Sequence, residues 1–447
     1  MTEPSGATFL PAPGGLRGVL RVPGDKSISH RAVLLSAVNS GAVRITGFLR
    51  SADTLATVAA VRSLGVCIED HGETLVVPGA GWEGLREPDD IIDVANAGTL
   101  IRLLPGLVAP LPFVTVLTGD ASIRRRPMAR VVEPLRAMGA TVVARGGGTL
   151  PPLAILGGPL RGATHELKVA SAQVKSCILI AGLRASGATI VNEPGASRDH
   201  TERLLRYGGV EVERQSPSDG AGSVSVKPID RLRLGDIAVP GDFSSAAFFI
   251  VAALLAPGSE VTIENAGLNP TRTALLDALA GMGARLDIQP SAIAGPEPFG
   301  RVLAKSSELT AIDIDPGLVP NIIDELPLFL LAAARARGVS RIRGAAELRA
   351  KESDRLAAMA ALLRSLGVRV DEHPDGMDVV GRPEGWQGAT VSACGDHRIG
   401  MVGAVAGLAA SDSVHVDDVD CISVSYPGFM NAVGLLGGRV QRDQVQP

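Results

Sequence analysis

The chain has 447 residues, of which 46% are hydrophobic, 20% charged and only 3% aromatic, with a formal net charge of -4. That length exceeds what one ordinary core holds and predicts two domains, and the composition is that of a globular chain rather than a disordered one. A mild acidic balance with few stacking aromatics argues against a nucleic-acid binder, and scarce aromatics leave the core to Ala, Val, Leu and Ile.

Met1-Thr2-Glu3-Pro4 offers neither a basic nor an apolar leader, so no targeting segment is expected. Val22-Pro23-Gly24-Asp25 then precedes Lys26-Ser27-Ile28-Ser29-His30-Arg31 and the apolar Ala32-Val33-Leu34-Leu35. The same tetrapeptide returns at Val239–Asp242, ahead of the apolar run Ala246 to Ala256, which is too short to span a bilayer. A shorter pattern recurs along the chain: an apolar helix end, a glycine, then strand residues. Its instances are Leu64-Gly65-Val66, Met138-Gly139-Ala140, Tyr207-Gly208-Gly209-Val210, Met282-Gly283-Ala284, Leu366-Gly367-Val368 and Leu436-Gly437-Gly438. A glycine there supplies a left-handed helix C-cap. Such joins occur in any α/β protein, but these stand 70 to 84 residues apart, the length of a small βαβαββ unit. The reading is an α/β fold of six βαβαββ units, three per lobe. Lobe 1 is discontinuous, 1–22 plus 239–447, and lobe 2 is 23–238, with a ligand site expected in the cleft between them.

Several polar loops carrying Lys or Arg run straight into apolar helices. They are Gly24–Arg31, Asn96-Ala97-Gly98-Thr99 before Leu100–Leu104, Ser171-Ala172-Gln173-Val174-Lys175, Lys351-Glu352-Ser353-Asp354-Arg355 and Gly395-Asp396-His397-Arg398. A helix N-terminus already attracts anions through unpaired N–H groups and its dipole. Ser, Thr, Asn and Asp there are also ordinary caps. Cations act against the dipole unless an anion sits nearby, and five such starts in one chain point to anionic ligands. Two phosphorylated or carboxylated substrates brought together repel, by roughly 3 kcal/mol per pair of charges about 6 Å apart at an effective dielectric near 20. Several cations are what such a pair requires.

Other chemistries lack their signatures. Asp25 separates Gly24 from Lys26 and spoils a Walker A loop, and there is no Gly-x-Ser-x-Gly elbow. No His pair has metal-ligand spacing, and Cys67, Cys177, Cys394 and Cys421 are scattered singly, so neither a metal, a cofactor nor a disulfide framework is expected. Acid–base work falls to Asp324 in Asn321–Pro327, to Glu352 and to Lys26, although an acid near a helix start is also favoured by the dipole alone.

Taken together, Pro23–Arg31, Asn96–Thr99, Lys351–Arg355 and Asp396-His397-Arg398 make the chain resemble the 5-enolpyruvylshikimate-3-phosphate synthase family along nearly its whole length. Ser171–Lys175, Arg198-Asp199-His200-Thr201-Glu202 and Asn269-Pro270-Thr271-Arg272 are similar to its class II bacterial members. The resemblance implies transfer of the enolpyruvyl group of phosphoenolpyruvate to the 5-hydroxyl of shikimate 3-phosphate, with loss of phosphate, on the way to chorismate and the aromatic amino acids. It implies that shikimate 3-phosphate contacts Lys26, Ser27, Arg31, Ser171, Ala172, Gln173, Arg198, Asp324 and Lys351. Phosphoenolpyruvate would contact Lys26, Asn96, Gly98, Arg126, Gln173, Arg355 and Arg398. Asp324 would accept the hydroxyl proton, and Glu352 with Lys26 would serve the methylene carbon. It further implies two lobes that close on substrate.

Two departures stand out. Ala172 occupies a position where many members carry Ser, and Val424-Ser425-Tyr426-Pro427 has no cation where some members place a Lys. Gly98 lacks the methyl by which tolerant class II enzymes crowd glyphosate, so the chain is expected to be sensitive to that herbicide. The rival readings are the sister transferase acting on UDP-N-acetylglucosamine and a non-catalytic anion-binding module. The former usually has a reactive Cys in the stretch occupied here by Asp120–Arg126, and none is present. A cytoplasmic monomer with small-molecule substrates and no nucleic-acid or membrane partner is expected.

Overall fold

Each copy of Val-Pro-Gly-Asp lies where the chain passes from one compact unit to the other in this computed structural model, which describes residues 5–215, 221–293 and 295–443. One unit holds the chain up to Pro23, Gly241–Ala292 and the chain from Pro298; the other holds Gly24–Pro240 and Ile293–Glu297. The last segment was assigned from the sequence to the 239–447 lobe. It forms the tip between the strands Arg285–Pro290 and Phe299–Lys305, where Glu297 meets His200 at 2.7 Å, both side chains buried. A contact between residues 97 apart leaves no local sequence signal.

The unit centred on Gly24–Pro240 shows the repeat directly. Ile92–Asp93, the helix Gly98–Val108, Val114–Thr118, the helix Ala129–Ala137, Thr141–Ala144 and Leu150–Leu156 follow one another as βαβαββ. The first strand is parallel to the second, the second antiparallel to the fourth, and the fourth antiparallel to the third. The same pairing recurs in the sheet of Thr164–Glu166, Thr189–Glu193, Gly222–Val226 and Val212–Gln215. A third sheet takes its first strand, Ile237–Ala238, from the far end of the unit to lie parallel to Val43–Thr46.

In the other unit Arg17–Arg21 plays that part beside Glu260–Gly267. Ala389–Val391 lies parallel to Val414–Val416, and this sheet is completed by Ala7–Leu10 and Arg439–Arg442. The remaining sheet, Val339–Ile342, Gly376–Val380 and Arg369–His373, has three strands. Its missing parallel partner is reduced to the single bridge between Thr310 and Arg337.

Local chemistry explains the repeat. Gly65, Gly139, Gly209, Gly283, Gly367 and Gly437 all have φ between 78° and 106°, the left-handed region in which a helix ends and a strand begins without a Cβ penalty. At the crossings Asp25 donates its N–H to Pro240 O, and Asp242 donates to Pro23 O, each at 2.8 Å. Asp25 caps the helix Lys26–Ala37 through the Ile28 N–H, and Asp242 caps Phe243–Leu255 through the Ser244 and Ser245 N–H groups. Gly24 must be glycine because a Cβ would collide with the carbonyl of Gly47.

Each unit has its own core around central helices, aliphatic for the most part but with Phe248, Phe249, Tyr426 and Phe429 packed ring to ring in one of them. Phe243–Leu255, Leu326–Ala333 and His397–Ala409 pack on one another, and all residues of the first two are buried. A helix apolar all round must lie inside its domain. In the other unit Gly98–Val108 packs on Ala172–Gly182 and on Lys26–Ala37. Among the described residues no single helix is long and apolar enough to cross a membrane.

Candidate active site

The central helices begin at the sequence-predicted motifs, so burying their apolar bodies brings the polar starts together. In the 24–240 unit Gln173, in the first turn of Ala172–Gly182, donates to Thr99 Oγ1 at 3.0 Å and accepts from Arg102 Nη1 at 2.6 Å. Both partners lie on Gly98–Val108. Arg126 donates to Asn96 Oδ1 at 2.9 Å, and Asn96 donates in turn to Asp120 at 2.6 Å. A Cβ on Gly98 would collide with the Arg126 guanidinium. The missing side chain therefore makes room for this cation at the helix start.

Arg31 is 2% exposed and already donates to Ser27 O, Thr201 Oγ1 and Ser176 Oγ at 2.8, 2.7 and 2.9 Å. Burial lowers its pKa to about 10 against the opposing pull of Glu202 and Asp25. Lys26 lies 3.4 Å from Asp53 and is a quarter exposed. Behind the start of Ala172–Gly182, Lys175 is fully buried between Glu193 at 2.8 Å and Glu202 at 2.7 Å. Ser197 donates to the free oxygen of Glu193. Ser171 is the N-cap residue and makes no side-chain cap bond.

In the other unit Asp324 lies inside a ring of four cations. Its carboxylate is 3.5 Å from Arg355, 3.8 Å from Lys351, 3.9 Å from Arg398 and 4.0 Å from Arg272. Arg398 also donates to the Asp324 carbonyl at 2.9 Å. Arg355 is buried, bonded to Asp396 through Nε at 2.8 Å and to Glu352 through Nη2 at 2.6 Å. Burial works against its charge, but Glu352, Asp396 and Asp324 outweigh it, and its pKa stands above the ordinary arginine value. Burial likewise opposes charge on Asp396, yet Arg355 wins and holds this carboxyl below the usual range. Asp396 also caps His397–Ala409 through the Arg398 N–H and accepts from Ser353. One buried carboxylate thus fixes both Lys351–Arg355 and the Arg398 helix start. Glu325, Glu352 and Asp396 hold three of these cations, Arg272, Arg398 and Arg355, from their other sides, so the charges are nearly balanced and fixed in place beside the partly exposed Asp324. Among the described residues no three His, Cys, Asp or Glu side chains are grouped to hold a metal ion.

The chain matches the sequence model described as EPSP synthase (3-phosphoshikimate 1-carboxyvinyltransferase) over residues 11–433. It belongs to the EPSP synthase family. A 3-phosphoshikimate 1-carboxyvinyltransferase of Geobacter sulfurreducens is 51% identical over 93% of this chain and 95% of its own length. That of Geobacter metallireducens is 49% identical over 97% and 99%. EPSP synthase of Acinetobacter baumannii superposes with a TM-score of 0.89 at 39% identity, covering 98% of this chain and 100% of that one. The enolpyruvyl transferase NikO of Streptomyces tendae has a TM-score of 0.78 at 19% identity over 99% of both chains, a likeness of fold.

Several of the residues named from the sequence lie together within each unit. Asn96, Gly98, Arg126 and Gln173 share one hydrogen-bonded or touching cluster through Thr99 and Arg102. Lys351, Glu352, Arg355 and Arg398 share Asp324 or its neighbours. Tyr426, at the start of the pair lacking a Lys, is buried against Phe249 and Phe429. Arg272, Ser244 and Glu325 were given no role from the sequence, although Arg272 stood in a quoted motif. All three converge on the Asp324 cluster. Glu325 is nearly indistinguishable from Asp324 by residue type, and only helix geometry separates them.

Proposed function

We propose that the chain transfers the enolpyruvyl group of phosphoenolpyruvate to the 5-hydroxyl of shikimate 3-phosphate, the reaction of 3-phosphoshikimate 1-carboxyvinyltransferase (EC 2.5.1.19) in aromatic amino acid biosynthesis. The observation that carries this reading is the Asp324 carboxylate within a ring of four cations, on a chain matched by the EPSP synthase model from residue 11 to 433. Phosphoenolpyruvate and shikimate 3-phosphate are polyanions, and cations already in place stabilise developing charge without reorganising.

In the proposed sequence Glu352 delivers a proton to the methylene carbon of phosphoenolpyruvate, and C2 becomes electrophilic. The 5-hydroxyl oxygen bonds to C2 as its proton passes to Asp324. The tetrahedral intermediate then loses a methyl proton to Glu352 or Lys26, the C2–O bond to phosphorus-bearing oxygen breaks, and phosphate leaves with its electron pair. Asp324 is suited to the hydroxyl proton because it is a carboxylate mostly shielded from water but not sealed from a ligand. Arg355 and Arg398 bind phosphoenolpyruvate together with Lys26, Asn96, Gly98, Arg126 and Gln173. Lys26, Ser27, Arg31, Ser171, Ala172, Gln173, Arg198, Asp324 and Lys351 bind shikimate 3-phosphate. Each proposed set draws residues from both units. Arg31 would use the N–H groups left after its three internal bonds, and Ala172 its backbone. We further propose a monomer in the cytoplasm, its four cysteines unpaired.

Phosphate release from phosphoenolpyruvate tests the reading, with shikimate 3-phosphate or UDP-N-acetylglucosamine supplied in parallel. Release with shikimate 3-phosphate alone is expected. Release only with the nucleotide sugar would retain the fold and overturn the acceptor. Light scattering of the purified protein should give the mass of one chain.

A further inference from the structure

Glu325 is fully buried and cannot meet a substrate, yet it lies beside two of the three arginines around Asp324, Arg272 and Arg398. Its Oε1 accepts the hydroxyl proton of Ser244 and lies 3.6 Å from both Arg272 Nη2 and Arg398 Nη1, while its Oε2 has no hydrogen-bond partner. A serine hydroxyl has one proton and two acceptor sites. With the proton committed to Glu325, the oxygen accepts from Arg272 Nη2 at 2.6 Å and Arg398 Nη2 at 3.2 Å. Two guanidinium groups therefore meet at one oxygen, and the buried carboxylate behind it offsets their repulsion. Ser244 and Glu325 stand at the starts of Phe243–Leu255 and Leu326–Ala333, so this contact also ties two central helices together where the cations lie.

We propose that Glu325, acting through the Ser244 hydroxyl, is a positioning residue that fixes Arg398 and Arg272 for the anionic groups of phosphoenolpyruvate. The proposal rests on the enolpyruvyl-transfer reading and deepens it. Asp324, in contact with solvent, faces the substrates; Glu325, sealed behind the arginines, sets where their charge points. A neutral side chain at 325 leaves the two guanidinium groups to splay apart.

The test is the split between KM values in the full-length enzyme. Glu325→Gln keeps the shape and an acceptor for Ser244 but removes the charge. It should raise KM for phosphoenolpyruvate about tenfold and leave KM for shikimate 3-phosphate within about twofold. Ser244→Ala should act alike, and the double variant should exceed neither single by much, because the two act as one unit. Glu325→Asp, which restores charge, should recover part of the loss. Unchanged or lower KM for phosphoenolpyruvate, or equal changes in both KM values alongside a lower unfolding midpoint, would overturn the proposal. Turnover only with UDP-N-acetylglucosamine would defeat the underlying reading, while the same KM comparison with that acceptor still decides the role of Glu325. Absence of turnover with either acceptor would remove both.

Discussion

Gly98 and Arg126 share a space that one methyl would fill. Gly98→Ala pushes the Arg126 guanidinium away from its bond to Asn96, a movement open to a flexible side chain and so cheap for folding. We expect KM for phosphoenolpyruvate to rise about tenfold, equivalent to about 1.4 kcal/mol, with little change in the unfolding midpoint. The glyphosate inhibition constant should rise further than that KM. Steady-state kinetics on both forms checks this, and a wild type as tolerant as the variant would defeat it. The two carboxylates proposed for proton transfer should differ in their effects. Asp324→Asn removes a charge that lies within 4.0 Å of four cations and the proposed acceptor of the hydroxyl proton, so kcat should fall by a factor of about a hundred or more. Glu352→Gln should lower kcat comparably but leave shikimate 3-phosphate binding intact, because Glu352 pairs with Arg355, which is proposed to hold phosphoenolpyruvate. Calorimetric titration with shikimate 3-phosphate separates the two: loss of binding in Glu352→Gln would place that residue elsewhere.

Among the elements, the helix Ala172–Gly182 carries a buried charge triad. Its Lys175 joins Glu193 on a strand to Glu202 on the following helix, all three nearly inaccessible. Lys175→Met would leave two buried carboxylates without the cation they both pair with and should cost about 3–5 kcal/mol in denaturant unfolding. Replacing all three by Met, Gln and Gln should recover much of that loss, since a neutral, similarly shaped site strands no charge. An unfolding free energy unchanged in Lys175→Met would show that water reaches the triad. The cationic helix start was legible from the polar residues before an apolar run. The partners of Lys175 were not, because they lie 18 and 27 residues further on and are brought back by strand pairing and helix packing. Arg272 and Glu325 were hidden for the same reason, as the Ser244 hydroxyl they share lies 28 and 81 residues away.

At the scale of the whole molecule, stability should fall as the medium becomes acidic, in two stages. His30 is fully buried beside Thr57; burial, then Lys26 and Arg31, lower its pKa well below the ordinary value. The folded chain refuses a proton that the unfolded chain accepts near pH 6.5. Stability should therefore decline from that pH downward, by at most about 1.4 kcal/mol per pH unit from this group. Asp396 has the depressed pKa of a paired carboxylate, so its contribution is present above about pH 4 and is lost as pH falls through its folded value. Unfolding at pH 7.5, 6.5 and 5.5 should show a shallower decline in His30→Gln; equal slopes would remove His30 as the cause.

Local rules are enough for the repeating scaffold. A glycine that takes the left-handed conformation, an aspartate that caps, and apolar residues at helical spacing act over a few neighbours, so the sequence alone discloses βαβαββ repeats and cationic helix starts. The two sheets that take a first strand from a distant part of the chain, and the Ile293–Glu297 tip, depend on segments far apart in sequence and emerged only in the tertiary structure. So did the pairing within the site: Arg398 reaches the Asp324 carbonyl 74 residues away and the Ser244 hydroxyl 154 residues away. Residue types select which groups can carry the chemistry, but distances of a few ångströms between them are set by how three apolar helices pack, a long-range outcome that no local propensity encodes.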